Sequence, residues 1–264
     1  MNRKMSTISV LHCYKLFFRS GLFLAALIIY LRARIIHGEI SLADYASDSV
    51  ALGILSAIFI GEMALRFFPS RLESMGCQKQ FRRNYIPTEI SQPPRRSPLP
   101  VLAVALAWLL LNGVIGALYL AHIIDEGILI LISLFYSVCD MICILFFCPF
   151  QTWFLKDKCC GSCRIYNWDY AMMFTPLVFI PSVFSYSVLG VALLLLLAWE
   201  ITVRLHPERF SEQTNQCLSC ANCKEKLCHH KTQLRHFLKV NRRLLALKGN
   251  EVIGRVRERL NKKD

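Results

Sequence analysis

Of 264 residues, 55% are hydrophobic and only 19% charged, against about a quarter charged in an ordinary soluble domain. The apolar excess falls in blocks of about 20 residues, the length of a bilayer-crossing helix. The net charge of +13 would suggest nucleic acid in a soluble protein, but here the Lys and Arg residues flank the apolar blocks, which fits anionic lipid headgroups and excludes a nucleic-acid partner. The period-2 alternation of a membrane barrel is absent, so the expected fold class is all-α: a polytopic membrane helix bundle of about six transmembrane helices. Two regions are expected, a transmembrane helical domain over 1–205 and a small Cys-rich cytoplasmic C-terminal cap over 206–264.

The first apolar segment runs from about Leu16 to Ile36. Its core, Gly21 to Leu31, is flanked by Lys15 and Arg19 before and Arg32 and Arg34 after. No small-x-small cleavage site follows, so it reads as a retained helix rather than a signal peptide. Because the core is short, Arg19 and Arg32 are expected to snorkel toward the two interfaces. The following loop holds Glu39, Asp44 and Asp48 and is placed outside. The second segment, Val50 to Phe68, carries Glu62. A carboxylate there reads either as an ion or proton site or as the partner of Arg66 at the i, i+4 spacing, and the spacing favours the pair.

Phe68 to Pro98 is a connecting loop, because Pro69, Pro87, Pro93, Pro94 and Pro98 forbid a long helix. Its Arg71, Lys79, Arg82, Arg83, Arg95 and Arg96 mark the cytoplasmic side. The third segment, Leu99 to Ile124, contains Asn112, expected to hydrogen-bond a neighbouring helix. An acidic turn, His122 to Gly127, is placed outside. The fourth segment, Ile128 to Phe150, contains Cys139, Asp140 and Cys143 and ends at Cys148-Pro149. Cys139 and Cys143 share a face by their i, i+4 spacing. With Asp140 they suit a soft-metal or proton path, although cysteines as small hydrophobes and a carboxylate as the polar spot of the bundle are the favoured reading.

Gln151 to Asp169 carries Lys156, Lys158 and Arg164 and is placed on the cytoplasmic side. Its aromatic residues Trp153, Tyr166 and Trp168, with Tyr170, suit the headgroup level. Tyr170 to Leu205 is one apolar run broken by Pro176 and Pro181. A basic loop before it and a basic tail after it require an even number of crossings. The expectation is a hairpin, one leg to about Phe184 and the next from about Tyr186 to Leu205, with a re-entrant first leg as the alternative. This gives a multi-pass protein of the cell membrane with both termini cytoplasmic. The tail carries a basic amphipathic stretch, Lys231 to Lys248, suited to the lipid surface, and after Gly249 a final helix that Asn250 is expected to cap, with Val252, Ile253, Val256 and Leu260 on one side.

Twelve cysteines carry the chemistry. Cys217, Cys220, Cys223 and Cys228, followed by His229 and His230, form one group; Cys148, Cys159, Cys160 and Cys163 form another. On the reducing side of a membrane such thiols bind metal rather than form disulfides. Cys217-x2-Cys220-x2-Cys223-x4-Cys228 offers four ligands for tetrahedral zinc, with His229 as a substitute, and approaches the spacing of an iron–sulfur cluster with one residue too many in the last gap. Zn and an iron–sulfur cluster both remain open. No phosphate loop, dinucleotide fingerprint, nucleophile elbow or paired carboxylates indicate a catalytic residue. Two thiol sets on one membrane face suit a redox or electron-transfer component that relays electrons to a quinone and meets a redox or protein partner on the cytoplasmic face. The alternatives are a metal-ion transporter or sensor built on Cys139, Asp140 and Cys143, and a zinc-stapled membrane scaffold without catalysis.

Overall fold

A computed structural model describes residues 7–37, 49–69, 75–90, 92–93, 97–157 and 160–219. The chain divides into two compact units, Met1–Glu225 and Lys226–Asp264, and every described residue belongs to the first. Five long helices dominate it: α1 (Thr7–His37), α2 (Ser49–Ala64, continued by a 3-10 turn over Leu65–Phe67), and, after the short α3 (Met75–Gln80), α4 (Leu99–Leu120) and α5 (Glu126–Leu145). A short α6 (Asp169–Phe174) precedes the fifth, α7 (Val183–Leu205). Among the described residues there is no strand, only an isolated bridge between Pro87 and Asn215.

Four helices are long and apolar enough to cross a membrane: α1 over Val10–Ile35, α4, α5 and α7. At 16 residues α2 is shorter. Local chemistry sets the ends. Pro100 sits in the first turn of α4, where its missing N–H costs nothing. Asp125 caps α5, its side chain accepting from the Ile128 N–H at 2.9 Å. His122, with φ 56°, reverses the chain between α4 and α5. Helix α5 stops at Leu145, short of the expected Phe150; Pro149 opens a π-helical turn over Phe150–Leu155, which Lys156 ends with φ 53°.

The hairpin expected over 170–205 is present with a shorter first leg. Helix α6 passes into a 3-10 turn over Thr175–Phe179, the chain breaks around Pro181, and α7 begins at Val183. The leg runs from the end where Tyr170 meets Glu62, late in α2, to the opposite end, where Phe179 lies against Gly116 and Phe184 near Gly53. Its tip is held by a close approach to α4: a Cβ at Gly116 would lie 2.1 Å from the Phe179 ring. Only glycine admits that ring.

Helices α1 and α5 run antiparallel, since Arg19 meets the late residue Asp140 while Tyr30 meets the early residue Asp125. Helices α2 and α7 run side by side in the same direction, with Gly53 near Phe184 and Met63 in one cluster with Trp199. That cluster also takes Phe59, Tyr170, Met173 and Phe174 into the middle of the bundle. Apolar residues cover the outside as well. Leu109, Leu110 and Leu120 of α4 and Leu194, Leu197 and Ile201 of α7 are exposed, whereas Arg19 is 2% exposed. A soluble monomer rarely shows so continuous an apolar surface; with charges inside and leucines outside, the bundle is suited to lipid.

Candidate functional site

Arg19 organises the interior. Its guanidinium donates to Glu62 Oε2 at 2.8 Å, to Asp140 Oδ2 at 3.0 Å and to the Ser137 carbonyl at 3.2 Å. Lys15 adds a second contact to Glu62 at 3.3 Å. Two cations thus face two carboxylates from three helices. Glu62 also accepts from the Tyr170 hydroxyl at 2.9 Å, and the Tyr170 ring lies between Arg19 and Arg66, at 5.9 and 4.6 Å. Arg66 pairs with Asp169 through contacts of 2.9 and 2.6 Å.

This corrects four expectations. Arg19 does not snorkel to an interface, because two carboxylates on other helices hold it inside. Glu62 does not pair with Arg66 one turn on; each finds a partner distant in sequence. Tyr170 does not face headgroups, since it is 2% exposed in the core. Asn112, expected to bond a neighbouring helix, donates instead to the Trp108 carbonyl of its own helix at 3.0 Å.

Beside this network lies a cavity of about 270 Å³. Cys139 and Cys143 line it from α5, as their shared face predicts, with Asp140 beside them from the adjacent face. Cys148 and Cys163 line it from the loops, and Trp108, Tyr136 and Phe150 supply aromatic wall. Met172, Met173 and Asp169 close the side toward the charge network. The Cys143 thiol is hydrogen-bonded to Cys148, and the Gln151 backbone N–H points at the Cys148 sulfur at 3.5 Å. The wall is almost wholly carbon and sulfur, with Asp140 and Asp169 as its anionic points.

The connectors at this end are sewn together around α3. Gln80 Nε2 donates to the Gly161 carbonyl at 2.8 Å, and Asn167 Nδ2 donates to Gln80 Oε1 at 2.9 Å. From the other side, Asn215 Nδ2 donates to the Lys79 carbonyl at 3.0 Å and to the Arg209 carbonyl at 2.9 Å. The Cys217 thiol donates to the Asn84 carbonyl at 2.9 Å. Arg164 and Trp168 both reach Glu200 near the end of α7, at 2.6 and 2.7 Å. The turn carrying Cys163 and the segment leading into Cys217 are therefore both docked on the six residues of α3, and the connectors 75–90, 150–168 and 207–219 share one end of the bundle.

Of the candidate metal ligands, Cys148, Cys163 and Cys217 are described. Cys148 and Cys163 line the cavity, while Cys217 lies by Asn84. Cys159, Cys220, Cys223, Cys228 and His229, and the side chain of Cys160, lie outside the described residues, as do the amphipathic stretch after Lys231 and the final helix after Gly249. Among the described residues no three His, Cys, Asp or Glu side chains converge as a metal site. Sequence reasoning missed Arg19, Asp169, Tyr170, Gln80 and Asn215 as organising residues; the only sequence signal for Arg19 was a charge inside an apolar stretch too short to exclude it. No protein-family model, curated protein or solved structure matches this chain, so its function is argued from this geometry.

Proposed function

We propose that this chain is a multi-pass membrane protein that works as a redox component, with a thiolate metal centre, zinc or iron–sulfur, on the cytoplasmic side. One observation carries the reading: α3 holds the Cys163 turn and the segment entering Cys217 against the same six residues, at the end where the thiol-lined cavity lies. Thiols from two distant stretches are thereby brought to one end of the bundle, and four-coordinate zinc or an iron–sulfur cluster draws its ligands from such paired segments. In this reading Cys217, Cys220, Cys223 and Cys228 form the centre, with His229 as a substitute ligand, and Cys159, Cys160 and Cys163 approach it from the other side. The apolar outer surface of α4 and α7 faces lipid, and α2 and the 169–182 leg, which carries the chain from the connector end to the start of α7, add the two remaining crossings.

The test is elemental analysis of protein purified without oxygen, wild type against Cys217→Ser/Cys220→Ser. Iron with sulfide and a visible absorbance that bleaches on reduction supports electron transfer. Zinc at fixed stoichiometry without absorbance turns the reading into a stapled scaffold. Metal in neither amount removes the metal centre.

A metal-ion transporter or sensor is the second reading, favoured by Cys139, Asp140 and Cys143 on one cavity wall. It is weaker, because the Asp140 carboxylate is engaged by Arg19 and a cation would have to compete with a guanidinium at 3.0 Å.

A further inference from the structure

We infer that the cleft between the first turns of α4 and the last turns of α7 binds an anionic phospholipid, with the phosphate on Arg204 and the acyl chains along the leucines of both helices. The inference rests on the lipid-facing placement of α4 and α7 proposed above and is independent of the metal centre.

The two helices are patterned for a third body between them. At the start of α4, Pro98, Val101, Leu102 and Ala105 line the cleft, and the i, i+3, i+4, i+7 spacing puts them on one face. At the end of α7, Glu200, Val203 and Arg204 line it from the other side, again at helical spacing. The space between is about 900 Å³, toward the upper end of the roughly 300–1,000 Å³ of ligand sites.

The two ends of the cleft differ in chemistry. Along α4, Leu102 is continuous with the exposed Leu106 and Leu109. Along α7, the exposed Leu197 and Ile201 stand in line with Arg204 at i, i+4 and i+7. Both lines lead out onto the lipid-suited surface. Toward the connectors the wall turns polar, with Ser162, Arg164, Trp168 and Ser211. A ligand that matches both ends is an amphiphile, apolar along the helices and polar at the connectors.

Charge selects its headgroup. Glu200 is matched within the protein: Arg164 holds both of its oxygens, at 2.6 and 2.5 Å, and Trp168 donates to one of them at 2.7 Å. Asp157 also lines the cleft, but its Oδ2 is buried and the residue is engaged within the fold. Arg204 is exposed, and it forms no hydrogen bond or ion pair among the described residues. It is therefore the described lining cation that no carboxylate holds. A guanidinium offers a planar fork of N–H donors that fits two phosphate oxygens at once. A phosphate without a neighbouring ammonium suits it better than a choline headgroup, whose positive charge would lie beside two guanidinium groups. The connector end is the cytoplasmic side in the reading above, and that leaflet carries the anionic lipids.

The experiment is native mass spectrometry of the full chain, delipidated in detergent and titrated with phosphatidylglycerol or with phosphatidylcholine of the same acyl chains. The expected result is one phosphatidylglycerol bound per chain at about a fifth of the concentration that phosphatidylcholine needs, the worth of one arginine facing an anionic headgroup. Arg204→Gln removes the preference and Arg204→Lys keeps most of it. Arg83→Gln, which removes an exposed cation outside the cleft, leaves it unchanged. Ala105→Trp, which fills the cleft from α4, lowers binding of both lipids, and a tenfold excess of inorganic phosphate displaces neither. Melting temperature identifies an Ala105→Trp variant that fails to fold, and Arg204→Gln, at an exposed position, then carries the test. The inference is overturned if the two lipids bind equally, if Arg83→Gln costs as much as Arg204→Gln, or if phosphate displaces the lipid. Carbonate extraction of membranes holding the full chain judges the membrane reading separately. Release of the chain removes that reading and this site with it, whereas a chain retained in the membrane without lipid preference removes the site alone.

Discussion

Arg19 and Glu62 meet at 2.8 Å inside the bundle, from α1 and α2, and Asp140 of α5 completes the pair from the opposite side. The arrangement locks three helices by charge rather than by packing alone. Removing one partner of a buried ion pair costs roughly 3–5 kcal/mol, because the remaining charge is left uncompensated. Arg19→Leu is therefore expected to lower the melting temperature sharply in detergent or to abolish accumulation. Adding Glu62→Gln and Asp140→Asn should recover much of the loss. Thermal melts of the single and triple variants check this, and equal stability of Arg19→Leu and wild type would show that the network holds nothing.

Arg19→Lys separates charge from geometry. A lysine keeps the charge but is a compact point, whereas the guanidinium presents a fork to two carboxylates at once. The variant is expected to fall between wild type and Arg19→Leu, with the larger share of the loss remaining.

The close approach of Phe179 to α4 gives a local test. Gly116→Val forces a side chain into the ring, and overpacking of this kind costs typically ~1–3 kcal/mol. Combining it with Phe179→Ala should return most of the stability. Melting curves check it, and additive losses would mean that Phe179 does not sit against Gly116.

Docking of the thiol-bearing segments on α3 predicts a chemical readout. Gln80→Leu removes the donor to Gly161 and the acceptor from Asn167, leaving buried polar groups unpaired at about 1–3 kcal/mol. Alkylation of Cys163, which is 6% exposed, is expected to speed up several-fold, while Cys13 on α1 reacts as before. Mass spectrometry after timed labelling gives both rates.

What the sequence shows and hides follows from range. The blocks behind α4 and α7 are legible because a run of leucines states its own environment. The cavity face of α5 is legible because Cys139 and Cys143 stand at helical spacing. The partners of Arg19 are not, since they lie 43 and 121 residues away and no local rule chooses them over the i, i+4 neighbour. Glu62 shows the same limit: Arg66 was the visible partner, and Asp169, 103 residues on, took it. The role of α3 was hidden in a proline-rich connector, where six helical residues leave no periodicity to detect.

The order in which the chain is made gives the Arg19 cluster one more meaning. In the bilayer proposed for it, a nascent α1 enters with an uncompensated arginine, at roughly 2.5–3.5 kcal/mol if it sits near the helix centre. Glu62 emerges from the ribosome early and offers a first counter-ion, but the second arrives only after Asp140 has been synthesised. The opening helix is therefore settled last, by a residue from beyond the middle of the protein, and truncations ending before α5 should leave it poorly anchored and open to quality-control proteases.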